Sequence, residues 1–535
     1  MSSDLGTIGW LLPELWLIVA GTAIVVCGAF CPARRLWSAV SLVVLAVAGG
    51  LLCWWEAARW LEPQPALLSG PLVNDPMAFL WRHLALLAGA LFVLLAACHT
   101  DERFQPEIQG LLVLVTAGTM LAARANELVL AFLALELVSV PTYALLFLGG
   151  RSRANAEATA KYFYLSILAS AVFLFGLGYL YGAAGTTWIY LPEGHSLQQA
   201  IPGGGKLALV GLSLVLVGLG FKVAAVPFHF YAPDVYQGTS YTNTALLSVA
   251  PKLAGLAVLV RLLVVGFQAA PAVVWPVLVV LAAVTMTLGN VCALWQRNLR
   301  RLMAYSSIAH SGFLLMGVAA SAAGLAREPF GGVAAVSFYL FAYSLATIGL
   351  FAAFAAVKLG DTAVDGLEHL AGYSRRHPWH AAAIAVFLLS LAGVPPLAGF
   401  WAKLGVFLSA LSGFIAGESA VAARWLLGLA VVGAVNAAIG AAYYLRVVAV
   451  LYFGTPSGSH PPAQMHVAWP LQAAVVFCAV LVVGLGIHQR PLSTWSQRAE
   501  QSLSMQSAVD VPAKRAEPHR VSWKEPSSLT LPRSR

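Results

Sequence analysis

Residues 207–230 read LALVGLSLVLVGLGFKVAAVPFHF: an uncharged run to Phe221, then Lys222, then Pro227 and His229. A span across a bilayer needs about 20 predominantly apolar residues, far more than a core strand. This stretch is therefore a membrane helix. A proline inside it removes one helix hydrogen bond and clashes with the preceding turn, so the helix breaks near Pro227. Broken helices at membrane depth are tolerated where they are buried in protein or line a watery cavity.

Outward from there the same pattern recurs. Runs near 10–30, 36–55, 78–98, 109–123, 128–148, 159–183, 206–228, 242–265, 272–294, 299–320, 330–357, 380–409, 424–452 and 466–487 each have the length and composition of a span. Hydrophobic residues make up 60% of the 535 and charged ones 10%. The fold expected is an all-α polytopic membrane protein of about fourteen transmembrane helices. Residues 1–487 form one transmembrane domain, and residues 488–535, rich in Ser, Pro, Arg and Gln, read as a basic tail that is disordered or peripheral. The Met1–Gly9 leader lacks a basic region, so no cleaved signal peptide is expected.

The net charge of +9 does not point to nucleic acid, because the arginines gather in connections between spans. Arg34 and Arg35, Arg151 and Arg153, Arg297 with Arg300 and Arg301, and Arg375 with Arg376 all fall on one side if the spans alternate. The positive-inside rule makes that side the cytoplasm or its equivalent and places the N-terminus outside; the location expected is a bacterial inner membrane with a periplasmic N-terminus. The six cysteines form no CxxC pair, haem site or iron–sulfur spacing. No dinucleotide-binding glycine motif or Walker A loop occurs. The sequence therefore predicts no cofactor, metal or nucleotide site in this chain.

Four of only eight lysines lie inside apolar stretches: Lys161, Lys222, Lys252 and Lys403. A charge at membrane depth costs several kcal/mol, so such a residue faces the bundle interior and is functional by default. Arginine keeps its proton in a protein, whereas a desolvated lysine can release it. Proton translocation is the first reading. Glu136 is the lone acid of LVLAFLALELVSVP (128–141) and reads as an ion-pair partner for a buried lysine; the alternative is a static, hydrogen-bonded carboxyl. Lys403 follows Pro395 and Pro396, a second helix break that would admit water. Lys161 lies a few residues into its span and reads equally as a snorkelling side chain. His229 and His310 are either relay groups or structural histidines. A Glu-bearing span followed by interrupted Lys-bearing spans is a crude duplication, and paired interrupted spans point to inverted repeats around a midplane ion site.

Three motifs give a resemblance. GFKVAAVPFHFYAPDVYQG (220–238), LRRLMAYSSIAHSG (299–312) and GVPPLAGFWAK (393–403) are similar to signatures of the antiporter-like membrane subunits of respiratory complex I. The chain most resembles the subunit N branch of proton-translocating NADH–quinone oxidoreductase, relatives of mitochondrial NADH dehydrogenase subunit 2. The resemblance implies two inverted five-helix repeats, about 109–265 and 272–452, each with a broken helix. It implies proton transfer through Glu136, Lys222, Lys252, His310 and Lys403, with Lys161, His229, Pro227, Pro395 and Pro396 in support. Flavin, iron–sulfur clusters, NADH and quinone are expected in partner subunits, and quinone reduction there would drive proton movement here. The partners expected are other complex I membrane subunits, among them a second antiporter-like subunit and small membrane subunits, together with the lipid bilayer. The alternative is a subunit of a related cation/proton antiporter or membrane-bound hydrogenase. Two departures from the family pattern stand out: Thr-Ser-Tyr-Thr-Asn-Thr follows Gly238 where prolines are usual, and Tyr231 replaces a common Trp.

Overall fold

A computed structural model describes residues 2–31, 34–56, 67–98, 102–192, 194–326, 331–359, 362–455, 463–466 and 468–507. The helices, in chain order, are α1 (Ser2–Gly28), α2 (Arg34–Glu56), α3 (Pro76–Ala96), α4 (Gln105–Arg124), α5 (Leu128–Leu148), α6 (Arg153–Ala184), α7 (Leu197–Ala200), α8 (Gly205–Lys222) and α9 (Ala232–Gly238). They continue with α10 (Tyr241–Val260), α11 (Pro271–Leu294), α12 (Leu299–Ala322), α13 (Gly332–Ala356), α14 (Pro378–Ala392), α15 (Ala398–Ile415), α16 (Val421–Phe453), α17 (Trp469–Ile487) and α18 (Arg490–Ser507). Among the described residues, 14 helices are long and apolar enough to cross a membrane. Thirteen of them correspond to single runs read from the sequence, while the run 380–409 is divided between the shorter α14 and α15. The strands are short: β1 (Leu67–Ser69) pairs with β2 (Leu72–Asn74), and β3 (Val357–Leu359) lies between β4 (Thr362–Ala363) and β5 (Gln464–Met465).

α10, α12 and α13 form the centre of the bundle and are buried along nearly their whole length, whereas α1 and α2 lie at its edge. Packing relies on small residues where helices meet. A Cβ on Gly312 of α12 would lie 2.5 Å from the Met286 nitrogen of α11, and one on Gly289 of α11 would lie 2.6 Å from the Ala309 nitrogen of α12. Only glycine permits that approach.

Two helices are interrupted, and the cause is the same at both. Proline lacks the N–H that would bond the carbonyl four residues earlier. For Pro227 that carbonyl belongs to Val223, and Ser311 of α12 donates to it at 2.5 Å. For Pro396 it belongs to Ala392, and Lys403 of α15 donates to it at 2.7 Å. Gly393 takes φ +91°, a left-handed conformation that turns the chain out of α14. Around the first break, Val226 N–H donates to Thr285 (3.0 Å) and the Tyr231 hydroxyl donates to the Phe221 carbonyl (3.1 Å). Each interruption thus leaves a carbonyl that a side chain from another helix, or from beyond the break, satisfies.

Of the two readings of the tail from residue 488, disordered or peripheral, only the first is at odds with its first twenty residues, which hold an ordered helix. Residues 490–507 form α18, and residues 508–535 lie outside the described residues. The composition of the tail as a whole is polar, but its first part carries a one-sided pattern: Leu492, Ser496, Ala499 and Leu503 recur at helical spacing and are buried. Glu500 accepts from Ala334 N–H at the start of α13 (2.8 Å) and from the Ser321 hydroxyl (3.1 Å), joining the helix to α13 and α12.

Candidate functional site

Lys222 is the last residue of α8, immediately before the first break. Its ammonium is surrounded by hydroxyls, donating to Ser139 of α5 at 2.7 Å and to Ser166 and Ser170 of α6 at 3.1 and 3.3 Å. Glu136 Oε1 lies 3.9 Å away and accepts from the Ser170 hydroxyl at 2.5 Å. Tyr143 donates to Ser166 at 2.8 Å and closes the far side. The Lys222 side chain is 5% exposed and that of Glu136 is 23%, so the lysine is enclosed while the carboxylate opens to the bundle's outer face.

Lys252 is buried in α10 and donates to the Ser307 carbonyl (2.7 Å), the Ser307 hydroxyl (2.8 Å) and the Tyr343 hydroxyl (3.3 Å). Its Nζ also sits 4.6 Å from the centre of the Tyr343 ring. Ser311 connects the two lysine regions, because its hydroxyl lies 2.5 Å from the Val223 carbonyl and 3.2 Å from that of Ser307. His310, between Ser307 and Ser311 on α12, is held at both ring nitrogens: Nδ1 is 2.7 Å from the Tyr339 hydroxyl and Nε2 is 3.0 Å from the Tyr444 hydroxyl. Ser306 in turn bonds the Tyr444 hydroxyl.

Lys403 packs its ammonium 5.4 Å from the Phe313 ring. Between it and His310 lies a small cavity walled by Tyr339, Tyr343, Ser390 and Gly399. Its free space is about that of one water molecule. The polar side chains therefore follow an ordered line through the bundle: Glu136, Lys222, Lys252, His310 and Lys403.

The other predicted residues lie off that line. Lys161 is paired with Glu157 (2.8 Å) and Asp234 (2.9 Å), at the edge of an open polar recess that also holds Arg300, Arg301 and Asp365. His229 is half-buried within the first break, and Pro227 is exposed there. Pro395 and Pro396 form the second break.

Among the described residues, no group of three or more His, Cys, Asp or Glu is placed to hold a metal ion. The geometry is one of buried amines, hydroxyls and an imidazole, suited to handing protons between fixed sites.

Residues 125–422 match the family described as NADH:quinone oxidoreductase/Mrp antiporter, TM. NADH-quinone oxidoreductase subunit N of an Anaeromyxobacter species is 37% identical over 493 residues, which cover 87% of this chain and 90% of that one. The corresponding protein of Myxococcus xanthus is 35% identical, with 91% of this chain and 96% of that one covered. The chain belongs to the NADH-quinone oxidoreductase subunit N family.

A chain in the structure of respiratory complex I from Thermus thermophilus with bound aureothin superposes with a TM-score of 0.73 at 32% identity, covering 90% of this chain and 98% of that one. A chain of the Mrp complex from Dietzia sp. shares the fold, with a TM-score of 0.78 at 23% identity and 95% and 99% coverage.

Within the family pattern, the departures after Gly238 have a local explanation. Ser240 caps α10 by accepting from Asn243 N–H at 3.3 Å, and Asn243 donates to the Leu145 carbonyl (3.0 Å) and to Thr239 (3.2 Å). Side-chain hydrogen bonds fix the entry to α10 where prolines are usual in the family. Tyr231, in place of the common Trp, stacks on Phe221 with ring centres 4.3 Å apart.

The sequence did not reveal Ser139, Ser166, Ser170 or Tyr143, whose convergence on Lys222 depends on how α5, α6 and α8 pack. It also hid a second group of charges. Glu14 lies between Arg82 (2.8 Å) and Arg124 (3.2 Å), and Asp75 holds Arg261 at 2.5 and 2.7 Å, all fully or nearly fully buried. Arg82, inside the apolar run 78–98, was the available signal.

Proposed function

We propose that this chain is a proton-translocating membrane-arm subunit of an NADH–quinone oxidoreductase, in which quinone reduction by partner subunits drives protons through Glu136, Lys222, Lys252, His310 and Lys403. The observation that carries this reading is the line of three buried lysines, two of them beside helix breaks, with Lys252 and His310 between. The names of the relatives support the electron-transfer partner, and the line of side chains supports the route.

The chemistry follows from the spacing. Two unit charges about 4 Å apart interact by about 4 kcal/mol in an effective dielectric of 20, large against thermal energy. Separating Glu136 from Lys222 therefore changes where a proton is best held, which makes the pair a switch. Serine hydroxyls both accept and donate, so Ser170 can follow either state. The Ser311–Ser307 pair leads from the break to Lys252, and the small cavity leads from His310 to Lys403. Glu136 opens to the outer face of the bundle, a position suited to contact with a neighbouring antiporter-like subunit. Two inverted repeats centred on the two breaks, the arginine-rich connections in the cytoplasm and a periplasmic N-terminus complete the proposed arrangement.

The test is NADH-driven acidification of inverted membrane vesicles carrying Lys222→Ala, with assembly and an artificial-acceptor reaction checked in the same membranes. Acidification and quinone reduction should fall together while the artificial-acceptor rate holds. Unchanged acidification in fully assembled complex would remove Lys222 from the route.

A further inference from the structure

A groove of about 370 Å³ opens where α13, α15 and the start of α18 meet. That size is within the range of sites that bind small molecules. Its two walls differ in chemistry. Phe338 of α13 and Trp401, Leu404 and Leu408 of α15 form the apolar wall. Gln489, Ser493 and Gln497 form the polar wall. Ser496 also lines the groove; it is 1% exposed, and its hydroxyl has no hydrogen-bond partner among the described residues. A buried hydroxyl without a partner is costly, and its position makes it an attachment point for a polar ligand.

The placement of α18 identifies the ligand class. Its Glu500 meets the first turn of α13, and its Trp495 ring lies 6.3 Å from Phe79 near the start of α3. The polar wall thus sits at the level where two spans begin, while the apolar wall belongs to helices long and apolar enough to cross a membrane. An occupant must be apolar along one side and polar at one end. A partner's transmembrane helix would satisfy the apolar wall but, with its backbone groups bonded within the helix, would leave the buried Ser496 hydroxyl without a partner. The first residue of α18, Arg490, is exposed beside Gln489, and the start of this 18-residue helix adds the positive end of its dipole. Those features suit a phosphate.

We propose that this groove binds a membrane phospholipid, with an acyl chain along Phe338 and Leu404 and the phosphodiester at Ser493 and Ser496. The site ties α18 to α13 and α15 through lipid, and it stands independently of the proton route.

The test uses the assembled complex in phosphatidylcholine vesicles doped with a phosphatidylglycerol carrying a photoreactive acyl chain. After irradiation, adducts are mapped by mass spectrometry. Wild type should carry adducts on peptides containing Phe338 and Leu404. Gly405→Trp fills the groove where a Cβ would have Ala335 as its nearest neighbour, at 3.5 Å. Adducts at those two peptides should then fall by roughly tenfold relative to other membrane-spanning peptides, on the scale of losing one good contact. Ser493→Leu alters only the polar wall and should give a smaller loss in the same place, so the site can be judged even if the tryptophan variant fails to assemble. Equal labelling in wild type and Ser493→Leu would overturn the proposal. So would efficient crosslinking of Leu404→Cys to another subunit, which would show a protein chain in the groove.

Discussion

Lys222 and Glu136 are joined through Ser170, whose hydroxyl accepts from the ammonium at 3.3 Å and donates to the carboxylate at 2.5 Å while the charged atoms stay 3.9 Å apart. A bridged pair is easier to separate than a directly bonded one, since the hydroxyl can exchange partners without leaving either charge unsolvated. Hydrogen bonds to charged groups contribute about 1.5–3 kcal/mol. Ser170→Ala should therefore lower quinone reduction and acidification together by roughly tenfold, less than Lys222→Ala, with the artificial-acceptor rate unchanged. An effect equal to that of Lys222→Ala, or none, would show that Ser170 does not mediate the pair.

The second break makes a comparable prediction through the backbone. Gly393 has φ +91°, and a Cβ there would lie 2.8 Å from Lys403 Cδ. Gly393→Ala strains the turn by about 1–3 kcal/mol and pushes on the lysine stem. Proton pumping should fall severalfold in assembled complex although no titratable group has changed. Lys403→Met, which keeps the stem and removes the charge, should abolish it. Normal pumping in Gly393→Ala would mean that the position of Lys403 is not set by the break.

His310 is fixed at both ring nitrogens by Tyr339 and Tyr444. Removing one hydroxyl frees one nitrogen but leaves the ring oriented by the other. Tyr339→Phe and Tyr444→Phe should each reduce quinone-coupled pumping by a fewfold, and the double variant should approach His310→Ala. Additive single and double effects would instead indicate that the two tyrosines act independently of the histidine.

The sequence made the buried lysines and both breaks legible because each is a local exception to a long apolar run. A lysine or a proline inside twenty apolar residues is visible without knowledge of any neighbour. The hydroxyls that accept hydrogen bonds from Lys222 were not visible, since Ser166 and Ser170 look like ordinary small residues of α6 until α5 and α8 are placed against it. Lys161 illustrates the opposite case. It shares its residue type with the other three, but its partners Glu157 and Asp234 put it at an open recess. α18 escaped notice because its helical pattern is short and lies within a polar, proline-rich segment.

Glu500 supplies a long-range cap to α13, accepting from Ala334 N–H. Loss of a capping acceptor typically costs about 1 kcal/mol. Glu500→Ala should raise hydrogen–deuterium exchange in α18 and in the first turn of α13, while Glu500→Gln, which keeps an acceptor oxygen, should change exchange much less. Equal exchange in wild type and Glu500→Ala would show that α18 is held by its apolar face alone.

The buried pair Asp75–Arg261 distinguishes stability from proton transfer. Asp75 does two jobs, capping α3 by accepting from Ala78 N–H at 2.7 Å and holding Arg261, which also donates to the Ala123 carbonyl at 3.1 Å. Arginine stays protonated, so this pair is not a carrier. Removing one partner leaves the other charge buried and costs about 3–5 kcal/mol. Asp75→Asn keeps a good cap but strands the guanidinium, and Arg261→Met strands the carboxylate. Each should sharply lower the amount of assembled complex recovered from membranes. The double variant removes both charges, keeps the cap and fills the volume with an apolar chain, so recovery should return towards the wild-type level. The quinone-coupled rate per assembled complex should then be near normal. A double variant that assembles well yet fails to pump would place Asp75 or Arg261 in the mechanism instead.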